Sequence, residues 1–136
     1  MGALWHHGNI LMSDKILTML AALNMIIGVG AGAFGAHGLK RILSAEALAV
    51  WQIGVLYQLV HALGLFIIVL LGPRMGSPLL SAAGAVMFAG IVMFSGSLYL
   101  ISLTGIRWIG PITPLGGVAF LVAWAMVGGS AWRQFH

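Results

Sequence analysis

The 136-residue chain contains no cysteine and only two acidic residues, Asp14 and Glu46. Without cysteine there is no disulfide, thiolate nucleophile or iron–sulfur site. Two isolated acids supply no carboxylate dyad, and neither a nucleophile–base pair nor a metal-ligand cluster is visible. Charge of either sign is scarce. Asp14, Lys15, Lys40, Arg41, Glu46, Arg74, Arg107 and Arg133 make up 6% of the chain, against roughly 25% in a soluble domain. Such a chain cannot cover a water-facing surface. What it has instead is 61% hydrophobic residues and a mean hydropathy of +1.09. The net charge of +4 comes from scattered cations. It forms no nucleic-acid patch, because dispersed Lys and Arg near apolar segments mark topology or touch lipid phosphates.

The eight charges lie between, and never inside, four long apolar runs. Segment one spans residues 16–36, with Ser13 as N-cap and Asp14 at the positive helix end. It superficially matches a signal peptide, with Ala31-Gly32-Ala33 after the apolar run. The thin charged region, Lys15 beside Asp14, opposes cleavage. Segment two starts at the Ser44 cap and runs to Leu71, where Gly72-Pro73 is expected to stop it. This exceeds the ~20 residues a bilayer needs, so residues 45–52 are placed at headgroup level with Trp51 as an aromatic anchor. Segment three has Ser77 as N-cap and Pro78 at the first helical position, and ends at Thr104-Gly105. Segment four is expected to repeat the device with Thr113 and Pro114 and to run to Trp132.

Helices are favoured over strands, because lipid leaves unpaired backbone groups without partners and a barrel would alternate in polarity. Short connections make sequential helices antiparallel neighbours. The expected fold is therefore all-α: a four-transmembrane-helix, up-down-up-down bundle over residues 13–136, preceded by an N-terminal extension, residues 1–12, bearing Trp5, His6 and His7. Lys15, Arg74 and Arg133 fall on the side of the termini and Lys40, Arg41 and Arg107 on the other, so the positive-inside rule gives no orientation. Residues 38–42 and 105–109 are similar, each following the first helix of a pair. A duplicated hairpin and convergent turn chemistry both account for that.

Several residues are candidates for more than spanning. Gly28, Gly32 and Gly35, interleaved with alanine, give segment one a small-residue face suited to close helix packing. No strand precedes them, so they are not a phosphate-binding loop. Tyr57, Gln58 and His61 fall on one face of segment two. Counted from Gln52, His61 lies ~14 Å into the hydrocarbon, where a polar residue marks function by default. One reading makes it a neutral histidine bonded across the bundle to Ser95, Tyr99 or Ser102 of segment three. The other makes it a proton relay. Asn24 is a second interhelical hydrogen bonder. Haem ligation by His37 and His61 is disfavoured by their different depths, and zinc by the lack of nearby Cys, Asp or Glu. The loop 105–114 is apolar apart from Arg107. It suits the membrane surface, with Arg107 snorkelling to phosphate or water, or a docking surface for a larger partner.

Four ordered motifs carry a family resemblance: Gly32-Ala33-Phe34-Gly35-Ala36-His37-Gly38-Leu39, Tyr57-Gln58-Leu59-Val60-His61-Ala62-Leu63, Ser95-Gly96-Ser97-Leu98-Tyr99-Leu100 and Gly110-Pro111-Ile112-Thr113-Pro114-Leu115-Gly116-Gly117. Over residues 14–132 the chain resembles the domain of unknown function 423 membrane family, whose relatives include transmembrane-protein-256-like proteins. The resemblance implies a small four-helix membrane protein and no established activity.

The functional expectation is a non-enzymatic accessory or structural subunit that packs against a larger membrane complex in the bacterial inner (cytoplasmic) membrane. It would need no cofactor and would contact lipid and either other subunits or further copies of itself. The alternative is a small transporter or proton pathway through His61, Tyr57, Gln58 and His37, although a cation exporter would want an intramembrane carboxylate. Lipid modification by His37 and Arg107 ranks last.

Overall fold

A computed structural model describes residues 13–135. Trp5, His6 and His7 lie outside the described residues. Four helices follow one another: α1 (Asp14–His37), α2 (Ala45–Met75), α3 (Pro78–Thr104) and α4 (Ile112–Phe135). Their lengths of 24 to 31 residues correspond to about 36–46 Å at the α-helical rise. Each is long and apolar enough to cross a membrane, whose hydrocarbon core is ~30 Å thick. The chain is a multi-pass, four-helix membrane protein.

Local chemistry sets most of the ends. Ser13 and Ser44 are extended, and their hydroxyls accept from the N–H groups of Ile16 and Ala47. Ser77 caps α3 through Leu79 N–H, with Pro78 at the first helical position. Gly105 ends α3 in the left-handed region at φ 71°, a conformation glycine adopts without steric cost.

Two ends differ from the sequence expectation. Pro73 does not stop α2, which continues to Met75 and closes where Gly76 turns left-handed at φ 54° and donates to Gly72 O. Proline removes one hydrogen bond near the helix end, but the turn itself needs positive φ, which only Gly76 supplies. Thr113 does not cap α4. That helix begins at Ile112 after a turn over residues 108–111, and the Thr113 hydroxyl faces Ser97 Oγ instead. Pro114 is consequently the third helical residue, still within the first turn, where its missing N–H has no intrahelical partner to lose. α4 also extends past Trp132 to Phe135.

The helices pack in sequence order, α1 on α2, α2 on α3 and α3 on α4. α2 and α3 are central; α1 and α4 flank them and bury the smallest shares of their spans. Near the side of the termini, Leu17, Leu65, Ile68, Leu80 and Met87 form a dry apolar core. Near the opposite side, Leu39, Trp51 and Val55 form a second, smaller one. Trp51 is therefore not an interfacial anchor. It is only 6% exposed, and its Nε1 donates to Ala31 O of α1 at 2.8 Å. Gly35 makes room for it, since a Cβ there would stand 2.8 Å from the indole. Burial wins because the indole finds both an apolar slot and a carbonyl.

Candidate functional site

Between the two apolar cores lies a polar layer built from all four helices. Its first half is a directed hydrogen-bond chain across α3, α2 and α1. Tyr99 OH donates to Gln58 Oε1 at 2.6 Å, Gln58 Nε2 donates to Asn24 Oδ1 at 2.9 Å, and Asn24 Nδ2 donates to Leu20 O at 2.8 Å. Each group uses the donor or acceptor that its neighbour requires, which fixes the orientation of both amides. Ser95 adds a bond from its Oγ to Gly54 O at 2.7 Å. Gly54 also admits the Tyr99 ring, which a Cβ would meet at 2.9 Å. In lipid, an unpaired amide or hydroxyl costs several kcal/mol, so the arrangement holds three helices in one register.

The second half joins α2 to α4. His61 is 5% exposed. Its Nδ1 lies 2.8 Å from Tyr57 O, one turn back on its own helix, and its Nε2 lies 3.0 Å from Trp124 Nε1. A carbonyl can only accept and an indole N–H can only donate. The geometry therefore assigns the neutral tautomer, with the proton on Nδ1 and Nε2 accepting from Trp124. Phe120 stacks on the imidazole with centroids 3.6 Å apart and planes 10° from parallel. Tyr57 and Phe94 continue the aromatic cluster, 4.6 Å apart. Small residues make this possible. A Cβ on Gly90 would stand 2.6 Å from Phe120, and one on Gly116 would overlap the Phe94 backbone.

This corrects the expected partners of His61. Ser95, Tyr99 and Ser102 of α3 do not bond it. Ser95 and Tyr99 serve Gly54 O and Gln58, while Ser102 bonds Leu98 O within its own helix. Gln58 and His61 share an arc of α2, but that arc straddles two interfaces, with Gln58 facing α1 and α3 and His61 facing α4. Tyr57 is different again. It is 39% exposed, and its hydroxyl has no hydrogen-bond partner among the described residues, although its ring belongs to the cluster. His37 is exposed at the far end of α1 and remote from His61. Arg107 is exposed in the loop before α4. Gly28, Gly32 and Gly35 all face α2, where added Cβ atoms would meet Leu59, Val55 and Trp51. Sequence reasoning missed Trp124 and Phe120. Their spacing of four put them on one face of α4, but nothing local tied that face to His61.

The buried polar side chains are Asn24, Gln58, His61, Ser81, Ser95, Ser97, Ser102 and Ser130. Every one of them has a partner. No group of three or more His, Cys, Asp or Glu side chains able to hold a metal occurs among the described residues.

Comparison with known proteins agrees with this architecture. A UPF0382 membrane protein of Bacillus subtilis, YwdK, is 50% identical over 114 residues, covering 83% of this chain and 93% of the relative. A UPF0382 membrane protein of Staphylococcus saprophyticus is 50% identical over 115 residues, again 83% and 93% of the two chains. One of Staphylococcus epidermidis is 45% identical over 113 residues, 83% and 92%. No solved structure matches. The model of the family described as "Protein of unknown function (DUF423)" matches residues 31–117, and the chain belongs to that family of bacterial multi-pass membrane proteins.

Proposed function

We propose that this protein is a non-catalytic subunit whose bundle docks in the membrane against a different membrane protein. The observation that carries the reading is the contrast between the closed polar layer and Tyr57. The polar side chains of that layer are satisfied by one another and by backbone carbonyls, so they offer a solute no free ligands. Tyr57, by contrast, is partly exposed near mid-span, beside the exposed aliphatic side chains of Leu56 and Val60, and its hydroxyl has no hydrogen-bond partner among the described residues. A phenol facing hydrocarbon lacks the partner it would have in water. A neighbouring helix that brings an acceptor to this ridge supplies it. Glycines on the outer surface of the bundle, Gly30, Gly96 and Gly128, have nothing within 4 Å of an added Cβ, which permits close backbone approach there.

The competing reading, a proton or solute pathway through His61, requires that ring to exchange its proton. Its Nε2 already accepts from Trp124 and its Nδ1 serves a helix carbonyl, so protonation would set two donors against each other. This geometry favours a structural histidine.

Purification from native membranes in a gentle detergent tests the proposal. The protein is expected to co-migrate with a different membrane protein. Tyr57→Phe keeps the ring and removes the hydroxyl, and is expected to weaken that association about tenfold without changing the stability of the isolated bundle. Recovery of the parent protein as a lone monomer or homodimer would contradict the reading. For the pathway reading, liposome flux that His61→Leu abolishes would restore it.

A further inference from the structure

On the side opposite the termini, the start of α2 and the end of α3 enclose a pocket of about 200 Å³. Ser44, Glu46, Ser102 and Arg107 supply its polar lining, and Val50 and Ile101 its apolar lining. Glu46 and Arg107 bring opposite charges to one small space, yet no ion pair joins them among the described residues. The pocket is smaller than the ~300 Å³ at which clefts for drug-sized ligands begin, so it suits a compact polar group. Its depth follows from the loop that carries Arg107. Ile106 and Trp108 flank the arginine, and Trp108 is 79% exposed. Apolar and aromatic side chains displayed this way settle at the headgroup level of the membrane, which puts the mouth of the pocket among lipid headgroups.

We infer that this pocket binds the phosphoethanolamine headgroup of a phospholipid. Arg107 takes the phosphate with its planar fork of donors. Glu46 takes the primary ammonium, whose three N–H groups it accepts as a carboxylate. Val50 and Ile101 meet the first methylenes of the lipid. The arrangement discriminates by chemistry. A choline headgroup has no N–H to donate, and a glycerol headgroup has no cation for Glu46. The site does not depend on the docking role proposed for Tyr57.

The test is native mass spectrometry of the full-length protein released from vesicles containing equal amounts of phosphatidylethanolamine, phosphatidylcholine and phosphatidylglycerol. The ethanolamine lipid is expected to be retained about tenfold over the other two, the scale of one charge-assisted contact. Glu46→Gln should erase the preference over phosphatidylglycerol while leaving retention of phospholipid as a class. Arg107→Gln should lower retention of all three, and Arg107→Lys should restore part of it. Both residues are exposed, and unchanged thermal unfolding confirms that the variants fold. Retention that follows net lipid charge, with phosphatidylglycerol highest and Glu46→Gln without effect, would overturn the assignment. Soluble O-phosphoethanolamine at the same molarity is expected to leave the lipid in place. Displacement by it would overturn the membrane source of the ligand.

Discussion

Trp124→Phe isolates the contact that decides how His61 behaves. The substitution keeps an aromatic ring beside Phe120 and His61 but removes the donor aimed at His61 Nε2, 3.0 Å away. Two effects contribute. The lost interhelical bond in lipid is worth about 0.6 kcal/mol on average and about 1.7 at most, and a buried acceptor left without a donor costs about 1–3 kcal/mol. The smaller ring also loses packing over Gly64, where an added Cβ would meet the indole at 3.2 Å. Paired with His61→Phe, which keeps the stack on Phe120 but removes both ring nitrogens, the variant completes a double-mutant cycle. The coupling is expected at about 0.6–1.7 kcal/mol, measured by unfolding in mixed micelles of increasing dodecyl sulfate content. Nitrogen-15 spectra of the imidazole give an independent readout. The parent should show a proton on Nδ1 and a bare Nε2; in Trp124→Phe the Nε2 signal should shift as its hydrogen bond is lost, while the proton stays on Nδ1, held by Tyr57 O. A coupling near zero, or a parent ring that carries its proton on Nε2, would refute the assigned hydrogen-bond pattern.

Other outcomes follow from the same packing. Gln58→Leu strands Asn24 Oδ1 and the Tyr99 hydroxyl together and should lower stability by about 2–3 kcal/mol, seen as an earlier unfolding midpoint. Gly116→Ala forces a methyl into the Phe94 backbone, a clash that no side-chain rotation relieves, and should cost about 1–3 kcal/mol. Gly128→Ala, with open space around it, should leave the isolated bundle unchanged within about 0.5 kcal/mol in the same assay. A larger penalty at Gly128 than at Gly116 would mean that the α3–α4 contact is placed incorrectly.

The architecture was legible in the sequence because lipid simplifies the rules. Long uncharged runs, short connections and serine caps at Ser13, Ser44 and Ser77 act locally, and the helices form where they indicate. Errors arose where two signals compete over a few residues. Gly72-Pro73 resembles a stop, but the left-handed Gly76 three residues later is the turn that ends α2. Trp51 near a helix start resembles an interfacial anchor, yet the glycine at position 35 gives it a slot in the bundle. Helical periodicity placed Gln58 and His61 on one arc and marked Asn24 as a hydrogen bonder. It could not say that a single arc faces two different interfaces. The His61–Trp124 pair joins residues 63 positions apart, and that choice depends on how α4 is rotated against α2, which no local pattern encodes. The family motifs did contain Gly116 and Tyr99, whose roles become physical only once Phe94 and Gln58 are seen beside them.

On the proposed docking role, a different membrane protein covers the Tyr57 ridge. A photo-crosslinking amino acid at Val60, an exposed neighbour of Tyr57 on α2, tests it directly in living cells. An adduct between this chain and another membrane protein is expected, diminished when Tyr57→Phe is combined with the probe. Adducts with lipid alone, or only with a second copy of this chain, would contradict it.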